Sequence, residues 1–217
     1  MKIGVLISGR GSNLKALINA CNQPDFQGEI ALVISNRPGA AGLKIAEAAG
    51  IPTLTIDHKL YETRDAFDAE MNKALTKAGV ELLCNAGFMR ILSDGFVEKW
   101  HNRHLNIHPS LLPSFKGIHV HKRVLEAGVR ISGCTVHFVR PAMDEGPIIA
   151  QAAVPVLPDD TEETLADRVL AAEHRLYPHA LRLVVDGHIR VDGEKIMTSH
   201  ESVGTAPETL FIPPVQD

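Results

Sequence analysis

The chain is short of cysteine, and its cysteines are not arranged for cross-linking or metal binding. Its 217 residues include only Cys21, Cys84 and Cys134, an odd number of widely separated positions with no CxxC pair. A disulfide framework or a cysteine-based zinc site is therefore not expected. Cys21 follows an apolar helical pattern and Cys84 ends an apolar run, so both are predicted to pack in the core.

Excess positive charge and long apolar runs are also missing. The chain has 22 Lys and Arg residues against 26 Asp and Glu residues, a formal net charge of -4. It has no general cationic field to hold nucleic acid or anionic lipid, so neither is expected as a partner. The apolar stretch at the start of the chain is too short for a secretion signal. No run approaches the roughly 20 residues of a membrane helix, and we expect a cytoplasmic protein.

What the chain does contain is an alternation of short strand-like runs with longer helical segments. The strand-like runs are rich in Ile and Val, and the segments between them carry apolar residues at helical spacing. The runs occupy residues 2–8, 30–35, 52–56, 80–85 and 104–108. This alternation predicts βαβ units and an α/β fold, with a Rossmann-like, mostly parallel twisted sheet flanked by helices.

The pattern changes in the second half of the chain. Two strand-like runs at 132–139 and 147–156 are separated by a turn-rich stretch, which predicts an antiparallel C-terminal strand pair. A long C-terminal helix is predicted over 161–185, with capping-box spacing at its start. The length suits one large domain, and no interdomain linker is visible. We expect a single domain over residues 1–195 and a C-terminal surface tail over 196–217.

The first strand runs into a glycine-containing loop, Ser-Gly-Arg-Gly-Ser-Asn at residues 8–13. Glycines let backbone N–H groups approach an anion, and the dipole of the following helix favours negative charge. Leu14 replaces the third glycine of the dinucleotide fingerprint, and the Lys-Ser/Thr pair of a nucleoside-triphosphate loop is missing. The loop therefore predicts a cradle for a terminal phosphate monoester rather than NAD or ATP. The alternative is a tight turn in which Ser12 or Asn13 only caps the helix.

Asn106 and His108 are the most informative pair of polar residues. Residues two apart on a strand share a face, so these side chains project together where the fifth predicted strand ends. Open α/β sheets bind ligands at that end. An amide can donate to a developing oxyanion and a histidine titrates near neutrality, so the pair could stabilise and protonate a tetrahedral intermediate. The alternative is that both side chains hydrogen-bond loop backbone.

Asp144 lies in the turn-rich stretch over residues 140–146. A carboxylate that reaches His108 would favour the imidazolium and fix its orientation, although an Asp before a Gly is commonly a turn former. His119 and His121 form an i, i+2 pair that would suit zinc in an extended segment. No matching third ligand is evident, so no metal is expected.

Five segments together resemble one known family. They are residues 7–14, 86–92, 106–121, 133–139 and 144–149, and they include the strings ISGRGSNL, AGFMRIL, GCTVHFV and DEGPII. In sequence and order they resemble the signature of the phosphoribosylglycinamide formyltransferases, folate-dependent enzymes of purine synthesis. The resemblance spans most of residues 3–185.

That resemblance implies transfer of the formyl group of 10-formyltetrahydrofolate, as co-substrate, to the amine of glycinamide ribonucleotide. It implies His108 as general acid, Asn106 as oxyanion stabiliser and folate contact, and Asp144 as the group that raises the pKa of His108. The implied ribonucleotide-binding residues are Gly11, Ser12, Asn13, Leu170, Ala171, Ala172 and Glu173. The implied folate-binding residues are Arg64, Met89, Arg90, Ile91, Leu92, Asn106, Arg140, Pro141, Ala142, Met143 and Asp144. Partners would be small-molecule substrates, with the chain a monomer or a homodimer.

Several other functions compete with this one. Formyltetrahydrofolate deformylase shares the Asn, His and Asp but normally carries an N-terminal regulatory domain, for which a loop beginning at residue 8 leaves no room. Methionyl-tRNA formyltransferase is disfavoured, because that enzyme has an added C-terminal domain and needs a basic surface. A non-catalytic sugar-phosphate-binding module would use only the glycine loop, and an NAD oxidoreductase is disfavoured by Leu14. Asn85 departs from the family pattern, which more usually has an apolar residue there.

Overall fold

Seven strands form one sheet in the computed structural model, which describes residues 1–198. The strands are β1 (Lys2–Ile7), β2 (Glu29–Ser35), β3 (Thr53–Thr55), β4 (Leu82–Asn85), β5 (His104–His108), β6 (Ile131–Phe138) and β7 (Ile148–Pro155). Their order across the sheet is β3-β2-β1-β4-β5-β6-β7. The first five in this order are parallel, and β6 and β7 are each antiparallel to the strand before. The predicted α/β fold with its antiparallel strand pair is confirmed.

Within residues 1–198, six α-helices connect and cover the strands. They are α1 (Ser12–Cys21), α2 (Ala41–Ala48), α3 (Arg64–Lys77), α4 (Asp94–Lys99), α5 (Val120–Glu126) and α6 (Glu162–Val185). The long helix α6 begins with the predicted capping box, in which Thr161 and Thr164 each accept the other's backbone N–H. None of the helices in residues 1–198 combines the length and apolarity needed to cross a bilayer.

The core has two layers because the parallel strands are buried on both faces. On one face, α1 and α6 pack through residues such as Leu14 and Tyr177 against Leu105 and Ile107. On the other face, α3 and α4 pack against Leu6, Ile34 and Leu83. The Tyr177 hydroxyl donates to the Asn85 carbonyl at 3.0 Å. This bond fixes α6 over the carboxyl end of β4.

The sheet has a topological switch point at β1. The chain first adds β2 and β3 on one side of β1 and then crosses to add β4 and β5 on the other. Loops that leave β1 and β4 therefore diverge and leave a crevice at the carboxyl ends of these strands. Residues 8–13 and 86–89 form the two sides of this crevice.

A short hairpin follows α6 and ends the described part of the chain. Its strands are β8 (Ile189–Asp192) and β9 (Lys195–Thr198), which pair antiparallel. Strand β9 crosses the predicted domain boundary at residue 195, so residues 196–198 are part of a strand. The rest of the predicted tail, 199–217, lies outside the described residues.

Candidate active site

The loop after β1 surrounds the first of two cavities. This cavity has a volume of about 430 Å³, and residues 8–13 form its floor. Gly11 precedes α1 in a left-handed conformation with φ of 79°, and an added Cβ there would lie 2.5 Å from the Cα of Gly42. Only glycine fits this close approach. The loop therefore places open backbone at the N-terminus of α1, as expected of an anion cradle.

Helix α6 closes the other side of the first cavity. Leu170 and Glu173 line it, and Asn13 donates from Nδ2 to Oε2 of Glu173 at 2.7 Å. Burial raises the pKa of the Glu173 carboxyl, and the Asn13 hydrogen bond partly opposes this shift. Of the other predicted residues on α6, Ala171 is exposed and Ala172 packs in a hydrophobic cluster. Neither lines the cavity.

The second cavity is larger, about 620 Å³, and lies against the face of β5 that carries Asn106 and His108. Asp144 lines the same cavity, so all three predicted catalytic side chains share one space. The segment 87–92 and most of the 140–145 loop complete its wall. Met89, Ile91 and Met143 are 60–68% exposed, which gives the mouth of the cavity an apolar rim.

Two of the predicted folate residues stand apart from this cavity. Arg64 is exposed at the start of α3 and lines neither cavity, and Ala142 is also absent from both linings. Arg140 does line the second cavity. Its guanidinium lies 3.1 Å from Glu194 in the β8–β9 turn and also donates to Asn102 at 2.8 Å.

The imidazole of His108 is held between two acceptors. Its Nδ1 lies 3.4 Å from Oδ1 of Asp144, and its Nε2 lies 3.1 Å from the carbonyl oxygen of Phe115. Asp144 is itself fixed, because Oδ2 accepts the N–H of Gly117 at 2.6 Å. Its backbone has a φ of 53°, an uncommon conformation for a residue other than glycine. Each ring nitrogen of His108 therefore faces one oxygen atom, a carboxylate oxygen at Nδ1 and a backbone carbonyl oxygen at Nε2.

Asn106 has a partner that the sequence did not reveal. Its Nδ2 lies 3.2 Å from Nε2 of His137, which faces it across the β5–β6 pair. His137 lines the second cavity as well. The resemblance included the segment that contains His137 but assigned it no role. Strand periodicity puts it on one face of β6, and only the antiparallel register puts it opposite Asn106.

The two cavities meet. Five residues line both of them: Gly87, Met89, Ile107, Pro109 and His121. Ser8, at the end of β1, fixes this junction, because its hydroxyl accepts the Met89 N–H at 2.7 Å and donates to Asn36. A ligand in the glycine-loop cavity would therefore lie next to one in the Asn106 cavity. Within residues 1–198, no group of three or more side chains is arranged to hold a metal ion.

Asn85, the departure from the family pattern, also lines the second cavity. Its Oδ1 lies 2.9 Å from Nε2 of His104, a buried imidazole. Burial lowers the pKa of His104 to about 3, so this ring is neutral and its Nε2–H can donate. Asn85 thus has a buried hydrogen-bond partner, His104, which lies two residues before Asn106 on β5.

Comparison with known proteins places this arrangement in a family. The formyl transferase family model matches residues 1–181. Phosphoribosylglycinamide formyltransferase from Escherichia coli (strain K12) is 43% identical, with 88% of this chain and 90% of that protein aligned. The trifunctional purine biosynthetic protein adenosine-3 of Gallus gallus is 58% identical over 88% of this chain. The chain spans about a fifth, 19%, of that longer protein.

Comparison with solved structures points to the same family. Glycinamide ribonucleotide transformylase 1 from Symbiobacterium toebii superimposes with a TM-score of 0.89 at 48% identity, covering 91% of this chain and 93% of that one. Phosphoribosylglycinamide formyltransferase from Anaplasma phagocytophilum gives 0.87 at 46% identity, covering 94% and 96%. The chain belongs to the formyl transferase family and, within it, to the phosphoribosylglycinamide formyltransferases.

Proposed function

We propose that this enzyme transfers the formyl group of 10-formyltetrahydrofolate to the amine of glycinamide ribonucleotide. The observation that carries the proposal is the junction of two cavities, one floored by the glycine loop and the other containing Asn106, His108 and Asp144. A transferase of this kind must hold a phosphorylated amine and a formyl donor side by side. A module that only binds a sugar phosphate would need the first cavity alone.

In this proposal the ribonucleotide occupies the first cavity. Its phosphate binds at the backbone N–H groups of Gly11, Ser12 and Asn13, where the N-terminus of α1 favours negative charge. Glu173 and Asn13, already hydrogen-bonded at 2.7 Å, then lie beside the ribose. Their polar atoms can accept and donate to sugar hydroxyls. The glycinamide amine extends toward the junction lined by His121 and Pro109.

The folate occupies the second cavity. Met89, Ile91 and Leu92 provide apolar surface for the pterin ring, and backbone groups of the same segment can pair with its polar edge. Arg90, at the same wall, is placed to meet the carboxylates of the glutamate tail. Arg64 lines neither cavity, and the guanidinium of Arg140 is already paired with Glu194. Arg90 is therefore the residue that we assign to the glutamate tail.

The chemistry needs no covalent enzyme intermediate. The neutral amine attacks the formyl carbon, and the carbonyl oxygen becomes an oxyanion that accepts a hydrogen bond from Asn106 and the proton of His108. The tetrahedral intermediate then collapses: the oxygen returns its proton to His108 as the carbonyl re-forms, and the bond to N10 of the folate breaks. N10 receives the proton lost by the amine. In the structure, Nε2 of His108 is hydrogen-bonded to the carbonyl oxygen of Phe115. This hydrogen bond must break before Nε2 can donate to the oxyanion. Asp144 holds the opposite nitrogen throughout.

The amine dependence of formylfolate consumption tests the proposal. Folate absorbance is followed with enzyme and 10-formyltetrahydrofolate, with and without glycinamide ribonucleotide. Consumption only when the ribonucleotide is present supports transfer. Equal consumption without it would instead identify a deformylase, and no consumption in either case would identify a binding module. A cytoplasmic location and a monomeric or homodimeric state stay predictions.

A further inference from the structure

The orientation of the Asn106 amide is set by a neighbouring histidine. Strands β5 and β6 pair with Asn106 directly opposite His137, so both side chains lie on the face that borders the second cavity. The distance from Asn106 Nδ2 to His137 Nε2 is 3.2 Å. This is the one hydrogen bond of the Asn106 side chain within residues 1–198, so it decides which way the amide points.

The protonation state of His137 follows from its other nitrogen. Nδ1 lies 3.0 Å from the carbonyl oxygen of Phe138 and 3.2 Å from that of Glu145. A carbonyl oxygen can only accept, so Nδ1 carries the proton. Burial, the largest effect on this group, lowers the pKa of His137, which keeps the ring neutral near pH 7. Its Nε2 is therefore a lone-pair acceptor.

A lone pair at Nε2 accepts from the NH₂ group of Asn106 and repels its oxygen. The amide is thereby fixed with its nitrogen toward His137, and a second N–H remains for a ligand in the cavity. If the amide turned over, its oxygen would take the place of that donor and would repel a developing oxyanion. Oxyanion donors act because they are oriented before the reaction begins.

We propose that His137 is a positioning residue that selects the amide orientation in which Asn106 donates to the oxyanion. The inference rests on the proposed function and deepens it. His137 touches neither reacting atom. It acts through Asn106 and ties that amide to the backbone of the loop that carries Asp144.

Two substitutions at this position separate positioning from packing. The side-chain amide of asparagine ends near the position of Nδ1, so His137→Asn keeps the donor to the loop carbonyls and loses the acceptor for Asn106. Glutamine reaches the position of Nε2, so His137→Gln restores an acceptor oxygen. Removing an oxyanion donor costs about 10²- to 10³-fold in kcat. We expect His137→Asn to lose about 10- to 100-fold in kcat with less than about a threefold change in KM, and His137→Gln to recover most of it.

A double variant adds an independent check. In an Asn106→Ala background there is no amide to orient, so His137→Asn should change kcat by no more than about twofold. Equal losses for the Asn and Gln variants, an effect on KM alone, or additive losses in the double variant would overturn the inference. Wild-type amine-dependent transfer is measured alongside. If the wild type does not transfer formyl groups, the proposed function fails; if it does and His137→Asn matches it, only this inference fails.

The wild-type protein supplies a test that does not depend on any variant folding. Imidazole ¹⁵N chemical shifts report which ring nitrogen is protonated. For His137 we expect the Nδ1–H tautomer at pH 7.5, with Nε2 unprotonated. An Nε2–H tautomer, or a doubly protonated ring, would remove the acceptor and overturn the inference.

Discussion

Replacing Asp144 with asparagine tests the electrostatic part of the site with little change in shape. The carboxylate has two partners, His108 Nδ1 at 3.4 Å and the Gly117 N–H at 2.6 Å. Asparagine keeps an oxygen for Gly117, and it tolerates the left-handed backbone found here, where φ is 53°. The variant therefore removes one negative charge from beside His108 and leaves the loop in place.

The magnitude follows from the distance and the burial. Unit charges 3.4 Å apart interact by about 5 kcal/mol at an effective dielectric constant of about 20. Only 7% of the His108 side chain and 12% of the Asp144 side chain are exposed, so screening by solvent is limited. Desolvation of the carboxylate offsets part of the attraction, and we expect a net loss of about 3–4 kcal/mol in transition-state stabilisation. That loss corresponds to a fall in kcat of about 10²- to 10³-fold.

The assay is the rate of formylfolate consumption with saturating glycinamide ribonucleotide, together with a thermal melt followed by circular dichroism. Asp144→Ala is the matched control. It loses both partners and places alanine in a left-handed conformation that costs about 1–2 kcal/mol. We expect the Asn variant to melt within about 2 °C of the wild type and the Ala variant to melt several degrees lower. A kcat for Asp144→Asn within tenfold of wild type, or a melt as early as that of the Ala variant, would refute the electrostatic role.

Three further predictions concern other parts of the site. Asn106→Ala and His108→Ala should each lower kcat/KM by at least about 10²-fold while the protein stays folded, and near-wild-type turnover in either would contradict the assignment. Gly11→Ala should destabilise the fold by more than about 2 kcal/mol in urea unfolding, because φ is 79° and the new Cβ would meet Gly42 at 2.5 Å; an unchanged midpoint would contradict it. For Glu173, the folded state keeps a proton that the unfolded chain releases, so stability falls as pH rises from the ordinary carboxyl range through the raised pKa. Glu173→Gln should remove that fall in stability and raise Tm by about 3 °C at pH 8 but not at pH 4. Thermal melts of the variant and the wild type at both pH values test this.

The fold was predictable because its signals are local. Short apolar runs distinguish β1 and β5 from the period-3.6 helical segments between them, and the glycines of residues 8–13 mark the first turn. The pairing of Asn106 and His108 on one face follows from strand geometry alone. These parts of the site needed no information from distant parts of the chain.

The contacts that complete the site are long-range and could not be predicted in the same way. Asn13 meets Glu173 across 160 positions of the sequence, and no periodicity connects them. His137 faces Asn106 only through the register of two antiparallel strands separated by a helix and two loops. The resemblance placed Arg64 at the folate site, yet its position at the start of α3 lies outside both cavities. Charge and residue type do not determine where a side chain lies in space.

The antiparallel strand β6 explains how an acid reaches His108. Because β6 runs against β5, its end lies beside Leu105, near the start of β5. The loop that follows leaves the sheet there and reaches His108 at Asp144, so it crosses the face of β5 along its length. Gly146 allows the return, since a Cβ at this position would lie 2.1 Å from the Phe138 carbonyl oxygen. A parallel strand would have released the loop at the opposite end, so the change of strand direction is what encloses Asn106 and His108 beneath a carboxylate.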